Sequence, residues 1–301
     1  MSIIASVKNR RVDLSLLLVA ALWGASYLSA KTLTEHAPVL TVLSLRFIST
    51  STAMAIIWFI RRDRITKPEW ILGIGLGSSQ ALILFFETTG VSKTSATNAG
   101  LIISLAIIFT PILESIASKN WLPRSFFVAT VTAVVGVALL VSDKGFATPG
   151  LGDWLMLAAA ITRAIHVTAM GHLTTGKSYS SVSITLLQSI TCGVIYTAFS
   201  LQGVRDAIST FDAGLWLDLA FLSLLCGAFA FLVTMWAIRK TSSSRASLLL
   251  GTEPVWAVIV GISLGGESLA LLGFLGAALI IGSSYFGQKI ETQHRLLKQE
   301  L

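Results

Sequence analysis

Residues 153–173 read DWLMLAAAITRAIHVTAMGHL, and this stretch decides the fold. At about 1.5 Å per residue, a helix of this length crosses the roughly 30 Å hydrocarbon core of a bilayer. Arg163 lies ten residues from either end of the stretch, and His166 follows one helical turn later on the same face. A charge at the centre of a bilayer costs about 2.5–3.5 kcal/mol on insertion scales, so it usually faces a bundle interior or a watery cavity. This helix face is therefore the first candidate for a transport pathway.

The composition of the whole chain is that of an integral membrane protein. Its 301 residues are 54% hydrophobic and 12% charged, whereas a soluble domain is about 25% charged. The net charge of +7 arises from basic residues in short loops between apolar runs, which indicates topology signals rather than nucleic-acid contacts. Cys192 and Cys226 lie inside apolar runs, so the sequence predicts neither a disulfide framework nor a cysteine metal site. The basic N-terminus resembles a signal peptide, but the apolar run after it is too long, which predicts an uncleaved first helix.

Apolar runs of about 20 residues recur along the chain and predict ten membrane spans. The predicted spans cover residues 13–33, 39–60, 70–90, 96–117, 124–142, 153–173, 180–201, 214–237, 245–264 and 268–287. The two tails and the loops on their side carry 16 of the 22 Lys and Arg residues, and the opposite loops carry 4. By the positive-inside rule, this imbalance predicts a multi-pass protein with both termini in the cytoplasm.

The two halves of the chain show weak internal similarity. A shift of 140 residues aligns 13–33 with 153–173 and 136–141 with 276–281, and a shift of 147 aligns 93–99 with 240–246. The sequence therefore predicts an all-α membrane protein of ten helices built as two five-helix repeats. The repeats are residues 1–147 and residues 148–301, the latter with a short cytoplasmic C-terminal tail. Because five is odd, the second repeat enters the membrane from the opposite side and the two are inverted.

The 140-residue shift pairs Trp23 with Arg163 and Ser26 with His166 on the first helix of each half. An inverted repeat brings equivalent faces together near the midplane, so these four side chains are predicted to line one space. Arg163 offers a planar fork to a carboxylate or phosphate, and Trp23 offers an apolar face. The alternative is that Arg163 bonds backbone carbonyls and Trp23 only packs. His166 is either a satisfied interior histidine or a proton-responsive group.

Glu253 and Pro254 interrupt the ninth predicted span. A proline inside a helix frees a backbone carbonyl and creates a polar break or hinge, and Pro111 in the fourth span is a comparable site. Glu253 is either the counter-charge of Arg163 or a proton carrier.

Two further charged residues lie within spans. Arg46 is within snorkelling reach of the outer interface, which favours a structural role. Glu87 is near the outer end of the third span and is expected at the outer mouth, where it is a further candidate for coupling or ion pairing. Interhelical hydrogen bonding or packing explains the remaining candidates for the substrate wall as easily as ligand binding does. These residues are Tyr27, Gln80, Phe85, Asn98 and Trp256.

The sequence argues against an enzyme. It contains no H-E-x-x-H motif. Residues 261–265 match G-x-S-x-G and residues 171–178 match G-x-x-x-x-G-K-[ST], but both lie within or directly after predicted membrane helices rather than after a strand, so neither fits a nucleophile elbow or a phosphate loop. The four histidines are scattered over different depths, so no metal and no other cofactor is expected. Without an ATP-binding domain, transport would draw on an ion gradient or on the gradient of the substrate itself.

Four segments in order resemble EamA-type members of the drug/metabolite transporter superfamily. They are LWGASYLSAK at 22–31, KTSATNAGL at 93–101 running on to Pro111, TEPV at 252–255, and GGESL at 265–269 with GFLGAAL at 273–279. The resemblance implies a ten-helix inverted-repeat carrier with its cavity between helices 1, 3, 4, 6, 8 and 9. Relatives export amino acids, including aromatic ones, other metabolites and cationic drugs. Arg163 stands where the sixth helix of relatives commonly carries an aromatic residue, which either shifts preference toward an anion or changes internal packing.

The leading hypothesis is therefore export of small amphipathic metabolites, amino acids first, by alternating access. In it, Arg163 holds the substrate carboxylate and Trp23 contacts the side chain, with protons as candidate coupling ions at His166 or Glu253. The expected partners are the lipid bilayer and a small-molecule substrate, with no nucleic acid, and the chain is expected as a monomer or weak homodimer. The alternatives are a multidrug cation exporter, in which Glu253 or Glu87 dominates, a non-transporting scaffold and a lipid-handling enzyme.

Overall fold

The computed structural model describes residues 2–94, 99, 102–141, 150–265 and 271–299. These ranges are helical apart from short connections. The helices are α1 (Ser2–His36), α2 (Val39–Arg61), α3 (Lys67–Val91), α4 (Ala106–Ser118), α5 (Arg124–Val141), α6 (Leu151–Thr174), α7 (Ser181–Thr210), α8 (Ala213–Lys240), α9 (Ser243–Leu250), α10 (Glu253–Gly265) and α11 (Leu271–Gln299).

Within the described ranges, seven helices are long and apolar enough to cross a membrane: α1 from Arg10, α2, α3, α6, α7, α8 and α11 as far as Glu291. Large apolar side chains on these helices face outward, among them Phe59 at 77% exposure and Ile71 at 76%. Such exposure suits contact with lipid tails. The all-α, multi-pass membrane class is therefore confirmed. Crossing of the membrane by 96–117, 124–142 and 245–264 stays a prediction.

The fourth and ninth predicted spans are both interrupted. Residues 102 and 103 are helical, the chain turns at Ser104 and Leu105, and α4 begins at Ala106. In the same way α9 ends at Leu250, the chain turns at Gly251 and Thr252, and α10 begins at Glu253. Both α4 and α10 have 13 residues, and the 147-residue shift that aligns 93–99 with 240–246 also aligns the two breaks. The interruption therefore recurs at the same place in each half.

The prolines do not mark these breaks directly. Pro254 lies in the first turn of α10, where its missing N–H has no helical partner to lose, so the break precedes it. α4 continues through Pro111, which corrects the expectation of a break at that residue. The residue four positions before Pro111, whose carbonyl a proline ring disturbs, is Ile107, which lies inside α4. The turn at Ser104 and Leu105 is therefore not explained by Pro111.

The middle of α8 is a π-helix over Phe221–Phe229. Two side chains from the first half of the chain bond to its carbonyls: the Trp23 indole Nε1 donates to the carbonyl of Cys226 at 3.0 Å, and the Thr50 hydroxyl donates to the carbonyl of Ser223 at 2.9 Å. Short π-helical insertions occur often at functional sites. Here the insertion ties α8 to α1 and α2.

Helix packing follows a two-fold pattern. α2 packs against α7, and α5 packs against α11. α3 packs on α6 and α7, just as α8 packs on α1 and α2, and α4 packs on α6 just as α10 packs on α1. If each predicted span is replaced by its counterpart five spans away, the contacts of α3 with α6 and α7 become the contacts of α8 with α1 and α2, and the α4–α6 contact becomes the α10–α1 contact. The α2–α7 and α5–α11 contacts are unchanged. The packing is thus consistent with two equivalent halves.

Candidate functional site

Arg163 on α6 lies at the centre of a buried charge cluster. Its Nη2 is 2.6 Å from Oε2 of Glu87 on α3, and its Nη1 is 3.1 Å from Oε2 of Glu253 on α10. The second oxygen of Glu253 accepts a hydrogen bond of 2.5 Å from the Tyr27 hydroxyl on α1. The side chains of Arg163, Glu87 and Glu253 are only 17%, 16% and 4% exposed. The structure thus pairs Glu253 with Arg163. Of the two roles considered for Glu253, counter-charge and proton carrier, this geometry corresponds to the counter-charge.

Glu87 does not lie at the outer mouth as expected. Its carboxylate turns inward to Arg163. The position of a residue along a helix indicates its depth but not its face, and the cost of leaving a buried guanidinium with a single partner favours a second carboxylate. The cluster therefore contains two acids and one base.

Aromatic rings connect this cluster to a second arginine. The Cζ of Arg163 is 5.4 Å from the centre of the Trp23 ring, and Trp23 meets Phe231 of α8 edge to face with ring centres 6.1 Å apart. The Cζ of Arg46 lies 6.0 Å from the centre of the Phe231 ring on another side. Cations at these distances are attracted by the ring quadrupole. The four side chains therefore follow one another in the order Arg163, Trp23, Phe231 and Arg46.

Arg46 does not snorkel to the interface. Residues 41–47 of α2 are all buried, and α7 and the π-helical part of α8 pack against α2, so the Arg46 side chain has no open route outward. Arg46 is 7% exposed, and its Nε atom is buried without a hydrogen-bond partner in the described ranges. No carboxylate of those ranges lies within ion-pair distance of it. The expectation that the Arg46 side chain reaches the outer interface was therefore wrong.

His166 forms a hydrogen bond that defines its neutral tautomer. Its Nδ1 is 2.7 Å from the Ser79 hydroxyl, and that hydroxyl donates its only proton to the carbonyl of Leu76 at 2.9 Å. Nδ1 must therefore carry the proton in this bond, which leaves Nε2 of the neutral ring as an acceptor. Nε2 is buried and has no partner among the described residues. Ser26, the counterpart of His166, donates to the carbonyl of Trp23 at 2.7 Å.

A polar chamber of about 50 Å³ lies beside the cluster. Its lining includes the polar or aromatic residues Trp23, Ser26, Arg46, Gln80, Glu87, Arg163, His166, Gln188, Phe231 and Thr234. A second cavity of about 20 Å³ on Arg163 is lined by Ser104, Gly251 and Glu253 at the two helix breaks. These volumes hold a few water molecules and no amino acid. The helices therefore enclose the site in this conformation, and a larger guest requires them to move apart.

Several predicted wall residues lie elsewhere. Tyr27 donates a hydrogen bond to Glu253 and is not among the described residues that line the chamber. Phe85 is 37% exposed and belongs to a separate outer groove formed with residues 38–41 and 198–203. Trp256 is half-buried and is absent from the described lining of both central cavities. Asn98 lies outside the described residues.

Sequence reasoning missed Gln188, Phe231 and Thr234 as chamber residues. Gln188 interrupts the seventh apolar run, and this signal was available. Thr234 and Phe231 carry no such signal, since threonine and phenylalanine are ordinary inside membrane helices.

Comparison with known proteins identifies the family. Residues 10–142 and 150–286 each match the profile of the EamA-like transporter family. The chain belongs to this family. It is 25% identical to an uncharacterized transporter of Archaeoglobus fulgidus, over 91% of this chain and 85% of that protein.

A second relative and a solved structure extend the comparison. A Salmonella typhimurium protein described as a probable amino-acid metabolite efflux pump is 24% identical to this EamA-family chain, over 96% of this chain and 99% of its own length. A crystal structure of a protein with a TM-score of 0.74 covers 94% of this chain and 98% of that one at 16% identity. That likeness concerns the fold alone.

Proposed function

We propose that this chain is a carrier of the bacterial inner membrane that exports small amphipathic metabolites, amino acids first, by alternating access through the central chamber. The observation that carries the proposal is the buried cluster of Arg163, Glu87 and Glu253 beside a polar chamber, where the first helices of both halves meet. Buried ionisable groups at membrane depth are costly and usually mark a substrate or ion pathway. The description of the Salmonella relative as a probable amino-acid metabolite efflux pump supports the substrate class.

The proposed architecture is two inverted repeats of five membrane crossings, residues 1–147 and 148–301, with both termini in the cytoplasm. Three observations support it. The family profile matches once in each half, the helix breaks recur at the same place in each half, and the packing of the helices has a two-fold pattern. Inverted repeats supply two arrangements of similar energy, one open to each side, as alternating access requires.

Arg163 acts as a clasp in this mechanism. It joins α6 to α3 through Glu87 and to α10 through Glu253. A zwitterionic substrate offers an ammonium to Glu87 and a carboxylate to a cation, so it replaces one internal ion pair without leaving a bare charge in a dry site. The Trp23 ring supplies an apolar face for the substrate side chain. Substrate binding can therefore break an ion pair of Arg163 and let α6 separate from α3 or α10.

Protons are the proposed coupling ion, and His166 is the proposed carrier. Its Nε2 lone pair has no protein partner in the described ranges, and the ring lines the chamber. Glu253 and Glu87 are the alternative carriers, because protonation of either would release one arm of Arg163.

Transport by purified protein in liposomes tests the proposal. Wild-type protein should move labelled phenylalanine and leucine, and Arg163→Ala should abolish this movement. The matched control is Arg239→Gln, because Arg239 lies at the end of α8 and bonds the Ser181 hydroxyl and the Lys177 carbonyl rather than the chamber. Failure of wild-type protein to move any amino acid would contradict the proposal.

Export of organic cations is the second candidate. The surplus of carboxylates over guanidinium in the Arg163 cluster favours it. Cells that express the protein should be protected against a toxic amino acid if the first proposal holds, and against a cationic dye alone if the second holds. The balance between the two depends on Arg46, a second positive charge in the same chamber.

A further inference from the structure

We infer that the substrate is a zwitterionic amino acid whose carboxylate is bound by Arg46 on α2 and not by Arg163. This inference rests on the proposed function and names the group that recognises its substrate. It assigns a binding role to a residue for which the sequence favours a structural one.

The first argument is that Arg46 forms no ion pair within the described ranges. The residue is 7% exposed, its Nε has no hydrogen-bond partner within the described part of the chain, and its Cζ lies 6.0 Å from the centre of the Phe231 ring. Burying a cation is costly unless it is paired. Arg46 also lines the chamber, so an anion that enters the chamber can supply the missing partner.

The second argument is that Arg163 is already saturated. Its Nη1 and Nη2 atoms contact one carboxylate each, at 3.1 and 2.6 Å, and the face of its guanidinium lies over the Trp23 ring. A substrate carboxylate at Arg163 would first have to displace one of these two acids from the guanidinium. No such exchange is needed at Arg46.

The third argument is that neutral donors surround the same space. The amide nitrogen of Gln188 on α7 and the hydroxyl of Thr234 on α8 line the chamber with Arg46, and neither has a partner in the described ranges. A carboxylate has about four lone-pair positions and accepts hydrogen bonds from all three groups. Glu87 lines the same chamber and is the site for the substrate ammonium. The chamber thus presents both charges of an amino acid.

Three compounds with the same phenyl group separate the contributions of these charges. L-phenylalanine has both charges, 3-phenylpropionate lacks the ammonium and phenethylamine lacks the carboxylate. Dissociation constants are measured on the purified full-length protein from the concentration dependence of thermal stabilisation. Wild type should bind phenylalanine most tightly and phenethylamine most weakly.

In Arg46→Gln, binding of phenylalanine and 3-phenylpropionate should weaken about tenfold or more, as expected for the loss of a charge-assisted hydrogen bond. Binding of phenethylamine should tighten, since a positive neighbour is removed.

The gain for phenethylamine guards against a trivial result, because a misfolded protein cannot acquire affinity. Arg46→Lys keeps the charge and should bind phenylalanine more tightly than Arg46→Gln does, and Arg239→Gln should bind all three compounds like wild type. If Arg46→Gln does not fold, Arg46→Lys decides: selective weakening for the two carboxylates supports the site, and equal weakening for all three overturns it.

The remaining outcomes separate the two proposals. Wild-type binding of phenylalanine that persists unchanged in Arg46→Gln overturns the Arg46 site and leaves the carrier proposal intact. A wild type that prefers phenethylamine also overturns the Arg46 site and indicates a cation exporter. A wild type that neither binds nor moves any amino acid overturns the proposed function itself.

Discussion

A single guanidinium within the membrane requires compensation, and Arg163 obtains it from two carboxylates on two different helices. The ion pairs to Glu87 and Glu253 are made within one buried cluster, so removing the arginine leaves two acids close together without a cation. Removing all three charges leaves no such conflict. This difference separates the structural role of the cluster from its role in transport.

We expect Arg163→Ala to destabilise the protein by about 3–5 kcal/mol, the usual result of breaking a buried ion pair from one side. The unfolding midpoint in detergent should fall accordingly and transport should stop. The variant with Arg163→Met, Glu87→Gln and Glu253→Gln together should recover most of the stability and still fail to transport. A stable Arg163→Ala protein, or a transporting triple variant, would contradict this view of the cluster.

His166 provides the clearest test of proton coupling. The ring holds a proton on Nδ1 through Ser79, it lines the chamber, and its buried Nε2 has no partner within the described ranges. We therefore expect it to take up a second proton from the acidic side and to carry it inward as substrate leaves. Efflux from liposomes should accelerate when the external solution is acidified. His166→Gln should abolish the acceleration while exchange at equal pH persists. The exposed His36 gives the control His36→Gln, and acceleration retained in His166→Gln would exclude this carrier.

At this scale the sequence located some of the site and missed some for a physical reason. Trp23, Ser26, Arg163 and His166 were predicted to share a space, and the structure places all four on one chamber. Glu87 and Arg46 were misplaced because span position gives depth, whereas the direction of a side chain depends on which helix packs against it. That packing is a property of the folded bundle.

The helices of the bundle meet at a second charge cluster near the predicted cytoplasmic surface. Arg245, at the start of α9, binds both oxygens of Asp13 on α1 at 2.9 and 2.7 Å and lies 3.5 Å from Glu291 on α11. It is 6% exposed. In the proposed topology this cluster joins three helices on the cytoplasmic side, and we propose that it acts as a gate there.

We expect Asp13→Asn to shift the carrier toward the state that is open to the cytoplasm, because it removes the charge of the bidentate partner of Arg245. Met170 of α6 is 4% exposed and lines the chamber, so a cysteine at Met170 reports its opening. In inside-out vesicles, a membrane-impermeant maleimide should label Met170→Cys about fivefold faster or more when Asp13→Asn is added, a ratio typical of coupling energies between states.

Two features of the chain make this measurement clean. The native Cys192 and Cys226 are both 0% exposed, so the background is low. Asp206 is exposed at the opposite end of α7, and Asp206→Asn is the matched control. Unchanged or slower labelling in Asp13→Asn would show that the Arg245 cluster is not a gate.

Helix breaks were partly predictable and the π-helix was not. Glu253–Pro254 indicated an interruption in the ninth span, and the break lies directly before these residues. Pro111 was wrong as a break, because the helix continues through it and the chain turns at Ser104 and Leu105 instead. The π-helical stretch Phe221–Phe229 has no proline and no charge. Its geometry accompanies hydrogen bonds from Trp23 and Thr50, which lie 203 and 173 positions from the carbonyls they bond, so no local sequence pattern predicts it.

For the whole molecule, the number of crossings decides whether the two-repeat architecture holds. Seven of the helices in the described ranges are of spanning length, whereas the repeat requires ten crossings. The alternative to ten crossings is that α4 and α5 form a hairpin that does not cross and that α9 and α10 form a re-entrant pair. Ten crossings place both termini on one side, and seven place them on opposite sides. The sidedness of two positions therefore separates the models.

We expect Trp121→Cys, in the loop between α4 and α5, to be labelled only from the cytoplasm. A fluorescent protein fused after Leu301 should fold and fluoresce, because the proposed topology places the C-terminus in the cytoplasm. Trp121 is 60% exposed, so a cysteine there is open to a membrane-impermeant maleimide.

If α4 and α5 did not cross, Trp121→Cys would react from outside the cell. If α9 and α10 alone did not cross, the C-terminal fusion would lie outside and stay dark. Ser209→Cys, exposed at the end of α7, should react from outside under both topologies and confirms that the reagent reaches the outer face. The expected pair of results leaves five crossings in each half, and an odd number of crossings is what requires the second half to be inverted.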